Sequence, residues 1–199
     1  MQEIEAKYFI RDLAKLEARI LAEGGQLLHP RILETNLRFD TQNRDLSQHF
    51  QVLRLRQAHK VTMTYKGIAL MLDGASQRQE IEIEVGDLDT ARAMLEALGY
   101  QVVRTYEKYR TEYQLDGLTI TLDELPYGEF VEIEGPGAAE IRQMAIRLGL
   151  DATANVQVNY LMLLDRVREA RHLAFHDLTF ENFKGLSITS QDLGVRPAD

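Results

Sequence analysis

The feature of this sequence that most restricts its fold is a strict alternation of charged and apolar residues. Glu80, Glu82 and Glu84, for example, alternate with Ile81 and Ile83. Successive side chains of a β-strand point to opposite faces, so a segment of this kind predicts a strand with one ionic and one apolar face. The same alternation is found in residues 3–7, 53–56, 61–66, 108–110, 118–123 and 131–134.

Helical patterns follow three of the strands, and each pattern ends at a glycine, namely Gly24, Gly99 and Gly149. Such glycines are typical of helix C-termini, and Asp12 and Asp87 are expected N-caps. A further helix is predicted over residues 155–171. Because few strands are separated by a helix, most neighbouring strands are expected to be antiparallel. The chain is therefore predicted to be an α+β protein with about eight strands.

The composition restricts the domain organisation and the class of partner. The 199 residues suit one domain, which we place at residues 1–172, followed by a C-terminal appendage at residues 173–199. A net charge of −8 argues against binding to nucleic acid or to an anionic membrane. Cysteine is absent, which excludes disulfides and thiolate metal sites. The charged N-terminus and the lack of an apolar run of roughly 20 residues predict a cytoplasmic protein.

The ionic faces of the strands permit two interpretations. In an open sheet the ionic face lies in water, and for any single strand this is the more common arrangement. The strands as a set favour a second arrangement, because carboxylates concentrate on the first, fifth and last strands and Arg or Lys on the others. This distribution predicts a closed eight-stranded antiparallel β-barrel with the ionic face inward and the helices packed outside.

A lumen lined by both signs of charge restricts what it can contain. An unpaired buried ion costs several kcal/mol, so the lumen must stay wet or hold a ligand that pairs with both signs. A metal-bound polyphosphate meets this condition, because its oxygens accept hydrogen bonds from Arg and Lys. Its cations take the hard oxygen ligands that Glu and Asp supply, and Mg²⁺ or Mn²⁺ would fit.

A family resemblance begins at Glu3-x-Glu5-x-Lys7 and continues in the same order along the chain. Its further motifs are LRLR at 53–56, TYKG at 64–67, RQEIEIEV at 78–85, EKYR at 107–110 and LDELPYGEFVEIEG at 122–135. Over roughly residues 1–170 the sequence resembles the CYTH family, also called triphosphate tunnel metalloenzymes. The resemblance implies an antiparallel tunnel with a polar lumen, in agreement with the barrel predicted from the alternation.

The resemblance also implies roles for individual residues. The implied metal ligands are Glu3, Glu5, Asp123, Glu132 and Glu134. The residues expected to hold the triphosphate are Lys7, Arg54, Arg56, Lys66, Arg78, Lys108 and Arg110. Within these sets Glu5, Lys7, Arg56 and Lys66 are the expected catalytic residues. Glu80 and Glu82 are expected to reach the metal or to orient the basic residues around it.

The activity that the resemblance implies is metal-dependent cleavage of a triphosphate, namely inorganic tripolyphosphate, thiamine triphosphate or a nucleoside triphosphate. A class IV adenylate cyclase that converts ATP to cAMP and pyrophosphate is the alternative, and a non-catalytic module that binds polyphosphate or nucleotide also stays open. Phe39, Tyr65, Tyr106 and Tyr127 are candidate platforms for a base or thiazole ring, although each is more often a core or surface aromatic. A homodimer is compatible with the sequence.

Overall fold

The computed structural model describes residues 2–199 and, for Gln2, Glu3 and Leu72, only the backbone. The strands are β1 Gln2–Ile10, β2 Gln26–Thr41, β3 Val52–Gln57, β4 Val61–Lys66, β5 Leu70–Leu72, β6 Ala75–Val85, β7 Tyr100–Leu115, β8 Leu118–Leu125 and β9 Gly128–Glu134. The helices are α1 Leu13–Ala22, α2 Asp45–Gln48, α3 Leu88–Ala97, α4 Ala138–Arg147, α5 Tyr160–Arg171 and α6 Ser190–Leu193.

Eight strands close into a ring. Their order is β1-β9-β8-β7-β2-β3-β4-β6, and β6 pairs back onto β1. Every pairing in the ring is antiparallel. The short β5 pairs only with the first residues of β6. The predicted α+β fold, with eight antiparallel strands around a lumen and helices outside, is confirmed.

The outer face of β1, β8 and β9 forms the main apolar core together with α1 and α4. Ile20 from α1 and Ile141 from α4 are buried against Ile120 and Ile133 of the sheet. Asp12 caps α1 and Asp87 caps α3, as predicted. The outer face of β6 has less cover, since Ile81 and Ile83 are each 51% exposed. Burial of the apolar face is therefore uneven around the ring.

Two predicted elements differ from the structure in their bounds. The strand expected at 34–40 is part of a longer strand, β2, whose pairing with β7 shifts register between His29 and Ile32. This irregularity surrounds Pro30, which has no N–H to donate to the strand ladder. The helix expected from residue 155 begins only at Tyr160, because the residues before it bond elsewhere: Asn155 donates to the Gly74 carbonyl, and the Val156 N–H donates to the Lys7 carbonyl.

One end of the ring is filled by aromatic side chains. Phe130 lies edge-on to Phe9, Tyr127 and Tyr160, with ring centroids 5.2–5.9 Å apart. Leu164 of α5 packs into the same cluster and is fully buried. Tyr160 therefore belongs to an apolar plug while its hydroxyl reaches the polar interior.

Residues 173–199 pack along β7 and β1. The Leu178 N–H donates to Thr105, and the Glu107 N–H donates to Leu178, so this segment adds a short bridge beside β7. Leu178 and Leu193 are fully buried in the aromatic cluster. The division at residue 172 stays a prediction. Among the described residues, no helix is long and apolar enough to cross a bilayer.

Candidate active site

A cavity of about 1870 Å³ occupies the interior of the ring. The predicted site residues that line it are Glu5, Lys7, Arg54, Arg56, Lys66, Arg78, Glu80, Glu82, Lys108, Arg110, Glu132 and Glu134. Their placement follows from the register, because directly paired residues on neighbouring antiparallel strands, such as Lys7 and Glu132, point to the same side of the sheet, as do alternate residues of one strand. The side chain of Glu3, the remaining predicted metal ligand on β1, lies outside the described part.

Asp123 lies beneath the cavity wall, at the centre of what we term the Asp123 cluster (Asp123, Lys108, Arg110 and Tyr160). The Asp123 side chain is fully buried. Its carboxylate accepts two hydrogen bonds of 2.6 Å from Arg110, one of 2.9 Å from Lys108 and one of 2.8 Å from the Tyr160 hydroxyl. These contacts favour a role in holding the basic residues in place. The predicted role of Asp123 as a metal ligand stays a prediction.

Glu132 is held between two cations. Its oxygens lie 3.1 Å from Lys7 Nζ and 2.5 Å from Arg110 Nη2. Burial opposes ionisation, but Lys7, Arg110 and Lys108 outweigh it and hold the pKa of Glu132 well below its ordinary value. The Lys7 ammonium also lies over the Tyr160 ring, 4.0 Å from its centroid. The surrounding cations therefore stabilise the ionised form of Glu132.

Glu34 is a buried carboxylate beneath the cavity wall that was not identified from the sequence. Its oxygens lie 3.5 Å from Arg56 and 3.6 Å from Lys108. Burial opposes ionisation, but Lys108, Arg110 and Arg56 lower the pKa of Glu34 from 4.5 to about 2. Arg38, on the same strand, lines the cavity and was likewise missed. The signal was present, because the residues at 34, 36 and 38 share one face of β2.

Arg54 and Arg56 on β3 and Lys66 on β4 supply the cations of two neighbouring strands. Lys66 Nζ lies 2.9 Å from Glu80, while Arg56 and Arg54 lie 3.3 and 3.8 Å from Glu82. These contacts favour the expectation that Glu80 and Glu82 orient the basic residues. The Nη1 of Arg54 donates to the Tyr106 hydroxyl at 3.3 Å. Burial would raise the pKa of Tyr106, but the charge of Arg54 outweighs it and lowers that pKa.

The carboxylates at the junction of β1 and β9 are the candidate metal ligands. Glu5 and Glu134 are paired directly across the two strands. Like charges in directly opposite positions destabilise a sheet unless a cation offsets them. Among the side chains that the structure describes, no three acidic or histidine groups are close enough together to hold a metal ion. The donor chemistry nevertheless fits Mg²⁺ or Mn²⁺, because every predicted ligand is a hard carboxylate oxygen.

The aromatic residues predicted as platforms occupy different environments. Phe39 and Tyr127 are buried in apolar clusters, and their positions are those of core residues. Tyr106 lines the cavity, and its hydroxyl accepts a hydrogen bond from Arg54. A different aromatic residue, Phe50, stands at the mouth of the cavity, 77% exposed. Phe50 lies just before β3, outside the alternating pattern, and therefore gave no signal in the sequence.

Comparison with known proteins gives consistent matches. The family model of the CYTH domain matches residues 1–145. The adenylate cyclase CyaB of Aeromonas hydrophila is 25% identical over 175 residues, which cover 82% of this chain and 89% of that protein. A solved structure from Pyrococcus horikoshii is 27% identical, with a TM-score of 0.70 over 82% of this chain and 99% of that one. A Hippeastrum protein described with a dominant triphosphatase activity shares the fold, with a TM-score of 0.63 and 20% identity over 82% of this chain and 95% of that one.

Proposed function

Because this chain belongs to the CYTH family, we propose that it is an enzyme that acts on a triphosphate bound in the lumen. The observation that carries the proposal is the convergence of Arg and Lys side chains from five strands, β1, β3, β4, β6 and β7, on one cavity. The residues concerned are Lys7, Arg54, Arg56, Lys66, Arg78, Lys108 and Arg110. A triphosphate is a compact, highly charged anion, and guanidinium and ammonium groups are its preferred donors.

Unsatisfied donors at the cavity support the same ligand. Among the described residues, the Nε atoms of Arg38 and Arg54 have no hydrogen-bond partner although both are buried. Buried polar groups normally have partners, and those without one are often explained by a ligand. Phosphate oxygens would accept from these donors.

The chemistry we propose is hydrolysis of a phosphoanhydride. A water molecule attacks the terminal phosphorus, and the bond from that phosphorus to the bridging oxygen breaks. Negative charge then develops on the bridging oxygen, which leaves with the rest of the phosphate chain as a diphosphate, while the attacking water loses a proton to solvent and becomes part of the released phosphate. Lys7, Arg56 and Lys66 would neutralise this charge, and the remaining basic residues would hold the chain of phosphates in line.

The proposed reaction uses a bound divalent cation. Glu5, Glu132 and Glu134 would hold it, once these three carboxylates lay closer together around the bound cation than they lie here, together with Glu3 from the same strand as Glu5. When bound, a divalent cation supplies charge neutralisation for phosphate oxygens and orients them. Removal of the cation would leave the paired carboxylates of Glu5 and Glu134 to repel the phosphates.

Cyclisation of ATP is the second candidate, favoured by the likeness to the adenylate cyclase CyaB over most of both chains. In that reaction the ribose 3′-hydroxyl attacks the α-phosphorus and pyrophosphate leaves. The same basic residues can serve both reactions, because the difference lies in which nucleophile stands in line with the leaving group.

A substrate panel tests the proposal. Tripolyphosphate, thiamine triphosphate and ATP are each offered with Mg²⁺, with Mn²⁺ and with EDTA, while phosphate, pyrophosphate and cAMP are measured separately. We expect cation-dependent phosphate release from at least one substrate. cAMP with pyrophosphate from ATP would establish the second candidate instead. Tight binding of tripolyphosphate without any product would contradict both and favour a non-catalytic binding module.

A further inference from the structure

Three large apolar side chains stand exposed at one mouth of the lumen. Phe50 is 77% exposed, Ile68 57% and Met71 44%, and all three line the same cavity as the lumen cations. We refer to them as the apolar rim. Exposed apolar area on this scale beside an ionic cavity is unfavourable in water, and such patches commonly mark binding sites.

The apolar rim lies just beyond the ends of two strands that carry cations. Phe50 stands two residues before Val52, the first residue of β3. Ile68 stands two residues after Lys66, the last residue of β4. The register pairs Val52 with Lys66, so Phe50 and Ile68 leave the sheet at the same edge, beside Lys66.

The backbone beneath Phe50 is held in a fixed and unusual conformation. Phe50 has a φ of 56°, in the left-handed region that non-glycine residues seldom adopt. The Asp40 carboxylate accepts hydrogen bonds from the N–H groups of Leu46 and Ser47, and the Gln51 N–H donates to the Leu46 carbonyl. Strained conformations that persist in this way cluster at ligand-binding sites. The backbone of Phe50 is thus held in place at the mouth.

Amide side chains stand beside the apolar rim. Gln51 follows Phe50 directly, and Gln157 belongs to the segment that Asn155 ties to the Gly74 carbonyl at 2.6 Å, next to the hairpin that carries Met71. Both glutamines line the cavity. Amides donate and accept hydrogen bonds, as the edge of a heteroaromatic ring requires, while the apolar side chains suit its faces.

We propose, on the premise of the proposed function, that the apolar rim binds a planar heteroaromatic group joined to the triphosphate. The substrate class is then an organic triphosphate, whose phosphates fill the lumen and whose ring packs on Phe50. Inorganic tripolyphosphate has no group that could use the rim. Phe50 is accordingly a specificity-determining residue for the organic part of the substrate.

The test measures kcat/KM for ATP, thiamine triphosphate and tripolyphosphate and follows the ratio of organic to inorganic substrate. Stacking of a base on an aromatic side chain predicts that Phe50→Ala lowers this ratio roughly tenfold. Phe50→Trp should restore the ratio, and Ile68→Ala should lower it less. The control is Met94→Ala on α3, which removes an apolar side chain that is 63% exposed and far from the rim in sequence.

The possible results distinguish a failure of the inference about the apolar rim from a failure of the proposed function. A ratio within twofold of the wild type in Phe50→Ala would overturn the inference. So would a wild-type protein that turns over tripolyphosphate and neither organic substrate, although the proposed function would then stand. A protein that turns over none of the three would refute the proposed function, and the inference with it.

Discussion

The Asp123 cluster allows a quantitative prediction that separates two roles for Asp123. Asp123→Asn keeps the shape of the side chain and removes its charge. Breaking a buried ion pair costs about 3–5 kcal/mol, because the partner charge stays buried without compensation. In the Asp123→Asn variant Lys108 would still have Glu34 as an ionic partner at 3.6 Å, and Arg110 would still have Glu132 at 2.5 Å. We therefore expect the lower end of that range, about 3 kcal/mol.

The expected loss is large enough to measure by thermal unfolding. For a chain of this size, 1 kcal/mol corresponds to roughly 2–4 °C, so the melting temperature should fall by about 6–12 °C. The measurement is made in EDTA, so that no cation contributes. Tyr160→Phe removes only the 2.8 Å hydrogen bond to Asp123 and should cost about 1–3 kcal/mol.

The control for this experiment is a pair on the surface. Glu84 lies 2.6 Å from Lys60, and both side chains are more than half exposed, so Glu84→Gln should cost less than about 1 kcal/mol. A melting temperature of Asp123→Asn within about 2 °C of the wild type in EDTA would refute the reasoning. In that case Asp123 would act mainly as a metal ligand, and the variant should lose the stabilisation that Mg²⁺ gives the wild type.

Three further predictions concern the lumen. The lowered pKa of Glu34 means that its contribution to stability is complete above about pH 4.5 and is lost as the pH falls towards about 2. This contribution is about 3 kcal/mol. The free energy of unfolding by urea should therefore fall less steeply between about pH 4.5 and 2 in Glu34→Gln than in the wild type. The same pH dependence in both proteins would count against the ion pairs of Glu34. Lys66→Ala should raise the KM for a triphosphate by roughly 10- to 100-fold, as expected for a lost charged hydrogen bond. Lys60→Ala, in the exposed turn just before β4, should leave the KM unchanged. Equal effects of the two substitutions would place Lys66 outside the binding site. Glu134→Gln should abolish turnover while metal-free tripolyphosphate binding, measured by calorimetry, persists; wild-type turnover in this variant would contradict the enzymatic proposal.

The helix termini and the two faces of each strand could be predicted because they depend on local chemistry. Asp87 caps α3 by accepting from the Thr90 N–H, a contact between residues three positions apart. That Lys66, Glu132 and Arg110 lie on the ionic face of their strands follows from parity alone once the strands exist. The extent of β2 could not be predicted in this way, because its first half is held by long-range pairing with β7 across the irregularity at Pro30.

The alternating sequence by itself determined that the strands have one ionic and one apolar face, and that most of them lie antiparallel. Whether the ionic face meets water or a closed lumen was decided only by the tertiary structure, through the pairing of β6 with β1. The tertiary structure also decided which residues contact Asp123 and Glu34, and how exposed the side chain of Phe50 is. Each depends on residues distant in sequence, and the charge of a carboxylate does not specify which buried cation will stabilise it.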